Sequence, residues 1–223
     1  MDTEQARFNM IEQQIRTWEV LDQGVLDLLF QVKRENFVPA AYRGIAFTDM
    51  EIPLGEGHGQ FMMAPKMEAR IVQELAPTST DRVLEIGTGS GYLTALLASC
   101  AAMVASIDYF DAFSRQAAAN LATANITNVI LKTGDAGQSP AAFIGADEKF
   151  DIIVLTGSVP TLPQTYLDAL AGNGRLFAIV GDAPVMKATL YTRTSASAVA
   201  AAEIFETVVA PLINAKQPSR FDF

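Results

Sequence analysis

The chain has 223 residues, half of them hydrophobic and 18% charged, a balance that suits a compact core and excludes a disordered polymer. Its 25 Asp and Glu against 16 Lys and Arg give a formal net charge of −9, so nucleic acid and anionic membrane surfaces are not expected partners. One cysteine, Cys100, excludes an internal disulfide and, within an apolar stretch, predicts a buried structural thiol; a cytoplasmic protein follows most simply.

The first residues carry no apolar run of signal-peptide type, and no targeting or anchoring segment is expected. Phe8, Ile11, Ile15 and Trp18 recur at helical spacing, as do Val25, Leu28, Leu29 and Val32, before Phe37-Val38-Pro39 ends the run. These stripes predict a helical cap packed on a main domain. Residues 44–64 follow as a long irregular segment with Pro53, glycines at 55, 57 and 59, and the only histidine, His58. Long loops in compact domains are usually functional, and this one is expected to act as a lid. Pro65 suits the first position of a helix whose Met67, Ile71 and Leu75 face inward until Pro77. The expected division is therefore a cap with a substrate loop over 1–76 and a cofactor-binding domain over 77–223.

Beyond Pro77 the pattern alternates. Strand 82–86, helix 92–101, strand 103–107, helix 111–123 and strand 128–132 lead to Gly134-Asp135-Ala136. Strand 150–156, helix 163–171 and strand 175–180 come next, then β runs near 187–193 and 203–209 with an Ala/Ser-rich turn at 195–202. The expected class is α/β: a doubly wound, mostly parallel Rossmann-like sheet with an N-terminal helical cap. Leu93–Ile107, the most apolar stretch, is too short to span a membrane and reads as a buried helix and strand.

Chemistry concentrates where the first of these strands ends. Residues 82–92 run Arg-Val-Leu-Glu-Ile-Gly-Thr-Gly-Ser-Gly-Tyr, so an apolar strand carrying Glu85 breaks into glycines at 87, 89 and 91. Bare backbone there lets a ligand approach closely, and Thr88 and Tyr92 flank it. The next strand ends in Asp108, about 20 residues on, where an acid grips ribose hydroxyls in such a crevice. The spacing is G-x-G-x-G, not the G-x-G-x-x-G of dinucleotide sites, and no G-K-[ST] holds phosphates. S-adenosylmethionine, with a sulfonium, an ammonium and a carboxylate but no phosphate, fits best, with S-adenosylhomocysteine as its product. Asp135 suits the adenine amino group, Ala136 lets the ring lie flat, and Ile107 or Tyr109 covers it; the alternative for Asp135 is an ordinary turn. No metal site is expected.

The sequence resembles the protein-L-isoaspartate O-methyltransferase family. The resemblance rests on Arg34-Glu-Asn-Phe-Val-Pro39, Gly59-Gln60, Ala64-Pro65, the block 83–92, Ser106-Ile-Asp108, Gly134-Asp135, Phe150-Asp151 and Gly172-Asn-Gly-Arg-Leu176. It implies a monomeric or weakly associated cytosolic enzyme that methylates the free carboxylate of an isoaspartyl residue. The departure lies before Pro65, where the family reads Gly-Gln-Thr-Ile-Ser. Here Phe61 replaces the threonine, Met63 replaces the serine regarded as catalytic, and Lys66 stands where histidine is common.

A carboxylate acceptor, with a reference pKa of about 4, is already ionised at neutral pH and needs no general base. A phenol or amine acceptor would require one, for which His58, Asp49 and Glu56 are the candidates. Thr156 and Ser158 are the remaining hydroxyls near the crevice; they either bind the acceptor or cap the next helix. Carboxyl O-methylation of a peptide or small-molecule acceptor is the leading expectation, weakened toward isoaspartyl residues by the lost hydroxyls. The alternatives are a more apolar acceptor, or S-adenosylmethionine binding without catalysis.

Overall fold

The computed structural model describes residues 2–55, 59–195 and 197–217. Its centre is a seven-stranded sheet of β3 (Arg82–Ile86), β4 (Met103–Asp108), β5 (Val129–Thr133), β6 (Phe150–Val159), β7 (Leu170–Asp182), β8 (Val185–Arg193) and β9 (Val199–Thr207). A separate antiparallel pair, β1 (Ile52–Pro53) with β2 (Phe61–Met62), brackets the loop before the sheet. In space the order is β5-β4-β3-β6-β7-β8-β9, parallel through β7 and antiparallel beyond.

Parallel strands need crossovers, and the helices that supply them cover both faces. Val83, Val104, Ile152 and Phe177 face a layer that holds Leu96 and Leu97 of α4 (Tyr92–Cys100) and Ile71 and Leu75 of α3 (Pro65–Leu75). Leu84, Ile107, Ile153 and Leu176 face the other side, against Tyr166 of α6 (Gln164–Asp168). The chain leaves β3 toward β4 on one side and reaches β6 on the other, so their carboxyl ends part and open a crevice.

The N-terminal residues are helical as the stripes predict. Asp2 caps α1 (Thr3–Asn9), which continues through a wide π-helical turn over Met10–Ile15 and a tight turn at Arg16–Trp18, and Asp22 caps α2 (Gln23–Gln31). Met10, Ile15, Leu26 and Leu29 pack into the same apolar cluster as Val83 and Leu96, so cap and sheet share one core.

Three local expectations shift. The helix expected over 163–171 is only α6, because β7 already pairs at Leu170 and crosses Gly172-Asn173-Gly174 as an irregularity, with Asn173 left-handed at φ +61°. Of the turn expected over 195–202, Ala200–Ala202 belong instead to the edge strand β9, and the Thr194 amide donates to the Ala198 carbonyl at 3.0 Å. Cys100, at the end of α4, is only partly buried; that burial still pushes its thiol pKa up.

The cap is fastened by a buried cation. Arg34, fully shielded from solvent, pairs with Glu68 of α3, donates Nε to the Ala46 carbonyl at 3.1 Å and Nη2 to the Met63 carbonyl at 2.7 Å, and stacks 5.3 Å from the Tyr92 ring centre. Removing one partner strands a charge in the interior, so Arg34→Ala is expected to cost about 3–5 kcal/mol of stability in urea unfolding. The double substitution Arg34→Met, Glu68→Leu should recover most of that loss.

Candidate active site

The turn after β3 is built for close approach. Gly87, Gly89 and Gly91 all have positive φ, at +98°, +53° and +82°. A Cβ at Gly87 would lie 2.0 Å from Thr156 Oγ1, so no other residue fits there. Gly91 instead packs against Ala117 of α5 (Asp111–Thr123) and lets α4 start, and it does not line the cleft.

Thr88 and Gly89 form the cleft floor, and Thr88 Oγ1 lies 2.6 Å from Ser106 Oγ. Asp108 closes one end from the tip of β4. Its two carboxylate oxygens accept the Gly89 and Phe110 amides, each at 2.8 Å, leaving further lone pairs toward the cleft. Burial pushes its pKa up and those amides oppose the shift. Across the opening, exposed Asp135 accepts the Gly137 amide at 3.1 Å and Asn214 Nδ2 at 2.7 Å. It therefore both makes the local turn and lines the cleft, beside Ala136, Ile107 and Tyr109. Tyr92 also lines the cleft, with its hydroxyl buried and unpartnered among the described residues.

Glu85 lies beneath the loop, outside the cleft lining. Alternation along β3 turns it toward α4, where Oε2 accepts Ser106 Oγ at 2.6 Å and the Thr94 hydroxyl. Its Oε1 has no partner among the described residues, and burial pushes its pKa up to about 8, opposed by the two hydroxyls. Glu85 thus acts as a buried acid that ties β3, β4 and α4 together under the glycine turn.

The opposite wall comes from the loop before α3. Phe61 and Met63 face the cleft, as do Leu54 and Gln60. Thr156 lines it too, but its hydroxyl donates to the Ile86 and Gly87 carbonyls, both at 2.9 Å. Ser158 sits off the cleft, buried, with its hydroxyl on the Val209 carbonyl at 3.2 Å. Lys66 turns outward to Asp49 at 2.8 Å. His58 and Glu56, named as possible bases, lie outside the described residues.

Two parts of this wall escaped the sequence reading. The segment after β9, Val209–Ile213, folds over the cleft and is held by Ser158, whose amide donates to the Ala210 carbonyl at 3.0 Å and whose carbonyl accepts the Leu212 amide at 2.9 Å. Its signal was the apolar run Val208-Val209-Ala210-Pro211-Leu212-Ile213. The other is Glu68, an acid on the inward face of α3 that reaches the cleft; burial pushes its pKa up to about 7 against the opposing charge of Arg34.

The cleft's charges select its ligand. Four acids, Glu51, Glu68, Asp108 and Asp135, line it, and none of its described residues is Lys, Arg or His. A pyrophosphate would find no counter-charge there. A sulfonium with an ammonium group suits the acids, and flat glycine backbone suits a close-lying ligand without phosphates.

The family model for protein-L-isoaspartate(D-aspartate) O-methyltransferase matches residues 5–217. The chain belongs to this family. A protein-L-isoaspartate O-methyltransferase 1 from Pelobacter propionicus is 38% identical over 184 residues, covering 82% of this chain and 83% of that protein. One from Rhodopseudomonas palustris is 38% identical over 93% of this chain and 82% of its own. The fold is shared with a crystal structure described as a Plasmodium falciparum family member in complex with S-adenosyl-L-homocysteine, at TM-score 0.76 and 19% identity, covering 95% and 98% of the two chains.

As a protein-L-isoaspartate O-methyltransferase family member, the chain is an S-adenosylmethionine-dependent methyltransferase on the expected Rossmann-like sheet. Among its described residues no helix is long and apolar enough to cross a membrane.

Glu85 makes stability depend on pH. Its pKa is about 8 when folded against an ordinary 4.5, so between those values the folded chain keeps a proton that the unfolded chain has lost. Stability falls as pH rises through that window. Glu85→Gln mimics the protonated acid and cannot ionise. Denaturant midpoints from pH 5 to 8 should show the native protein losing ground to this variant; parallel curves would contradict the assignment.

Proposed function

We propose that this chain methylates the side-chain carboxylate of an isoaspartyl residue in a peptide, the acceptor for which its relatives are named, in the cytoplasm. The observation that carries this reading is the engagement of three of the cleft's four acids. Asp108 holds two amides, Asp135 holds an amide and Asn214, and Glu68 is paired with Arg34. These partners hold the three in place, a poor arrangement for a group that must take a proton from a hydroxyl or amine, and Glu51, the fourth, makes no ion pair with a described residue. A carboxylate brings its own nucleophilic electrons.

In this reading residues 77–223 hold the methyl donor and 1–76 shape the acceptor side. Asp108 accepts hydrogen bonds from the ribose hydroxyls, Asp135 meets the adenine amino group, and the ring lies against Ala136 and Ile107 beside Tyr109. Gly87, Thr88 and Gly89 supply the close backbone surface, while Gly91, Glu85 and the start of α4 at Tyr92 set its shape from behind. When bound, S-adenosylmethionine supplies an electrophilic methyl group on a positively charged sulfur. The chain contributes alignment and exclusion of water. Such positioning is worth up to ~7–11 kcal/mol, and a dry site favours the joining of opposite charges. Phe61, Met63 and Leu212 are apolar walls suited to that exclusion.

Positions 61 and 63 together limit the rate. With Thr156, Ser158 and Lys66 all committed elsewhere, none of them replaces the hydroxyls missing at Phe61 and Met63. A hydrogen bond to a charged group is worth ~1.5–3 kcal/mol, or roughly 10- to 100-fold in rate when made in the transition state.

Two measurements test this assignment. Asp108→Ala should weaken S-adenosylmethionine binding roughly 10- to 100-fold in titration calorimetry, the loss of about 1–3 kcal/mol of hydrogen bonding; unchanged affinity would remove Asp108 from the donor site. Transfer of labelled methyl to an isoaspartyl peptide should be slow in the native chain and at least about tenfold faster in Phe61→Thr, Met63→Ser. Absence of label from the isoaspartyl peptide with both proteins would rule out this acceptor.

A further inference from the structure

A second groove opens beside the cleft. Glu51, Met63 and Val209 line both, so whatever places a reacting side chain in the cleft lays its neighbour along this groove. The floor is Trp18, whose ring carries Lys66 Nζ at 4.3 Å from its centre. Asp49, Glu51 and Glu206 surround it with three negative charges against the single positive charge of Lys66.

That one cation is already used. Lys66 Nζ lies 2.8 Å from Asp49 Oδ2, while Asp49 Oδ1 is buried with no partner among the described residues. Glu51 and Glu206 make no ion pair with a described residue. Glu51 and Glu206 thus stand outside any ion pair among the described residues, although Lys187 acts on Glu206 from the neighbouring strand, and with the unused Asp49 oxygen they edge an apolar floor of Trp18, Met63 and Met67. The aliphatic stem of a long basic side chain covers such a floor while its charged head meets the acids. An acidic side chain in the same place is repelled.

We propose that this groove is a specificity subsite that takes a lysine or arginine side chain next to the methylated residue of a peptide acceptor. The inference rests on the peptide-carboxylate reading above and adds the sequence context in which the acceptor is chosen. The enzyme's net charge of −9 draws basic peptides in from a distance, and the groove fixes which residue is read.

The test uses isoaspartyl peptides carrying Lys, Ala or Glu at each flanking position in turn, with the full chain and labelled S-adenosylmethionine. At one flank KM should rise in the order Lys, Ala, Glu, spanning about tenfold at low salt and shrinking as salt is added. Glu206→Lys, an exposed substitution outside the cleft, should collapse or reverse that order and leave kcat on the Ala peptide unchanged. Equal KM for the three peptides at both flanks overturns the subsite, as does an order that survives Glu206→Lys. Failure to methylate any of the peptides overturns the acceptor reading itself, a separate result.

Discussion

A guanidinium shielded from solvent needs its partners inside the protein, and each of the three Arg34 nitrogens finds one by gathering pieces far apart in the chain. Glu68, the Ala46 carbonyl and the Met63 carbonyl converge on it, with Tyr92 stacked above. Each partner belongs to a different part of the molecule: α3, the loop after the cap, the cleft wall, and the first residue of the helix behind the glycine turn. An ion pair this deep adds little net energy compared with apolar packing, but it admits one arrangement of those four parts. The cleft wall opposite the glycine turn therefore has a fixed position, although few of its residues belong to the sheet.

The same economy shapes the cleft. Three of its four acids serve the fold before they serve a ligand: Asp108 pins the glycine turn, Asp135 closes a turn and holds Asn214, and Glu68 balances Arg34. Methyl transfer to a carboxylate suits such a site, because it asks for geometry and dryness more than for a proton acceptor. Glu85 extends this logic beneath the floor, where a protonated acid bonded to Ser106 and Thr94 joins three elements without placing a charge in the core.

Local pattern made the sheet legible. Strand 82–86, the helices behind it and the glycine block depend on periodicity and on backbone freedom, both visible in a short window. Helix 163–171 is shorter than its pattern suggests because the glycines at 172 and 174, between it and the expected strand 175–180, instead interrupt one longer strand. The hydroxyls were beyond reach for another reason. Thr156 and Ser158 were plausible acceptor contacts until their partners, the Ile86 and Val209 carbonyls, were known, and those lie far off in sequence. Glu85 shows the limit most clearly. Its presence near the turn was evident, but period-2 alternation sends it under the loop, away from the cleft lining.

The cleft wall opposite the glycine turn is assembled from three strips: the loop around Glu51, the β2 segment through Met63, and the run after β9. Short contacts, such as the Ser158 bridge to the last strip, attach them to the sheet, whose inner strands are paired on both sides. Substitutions in these strips leave the central ladder untouched. On the proposed reading, the substrate range of such an enzyme can therefore drift one strip at a time while the donor side stays as it is, and Phe61 and Met63, where the family resemblance implies hydroxyl residues, fit one such step.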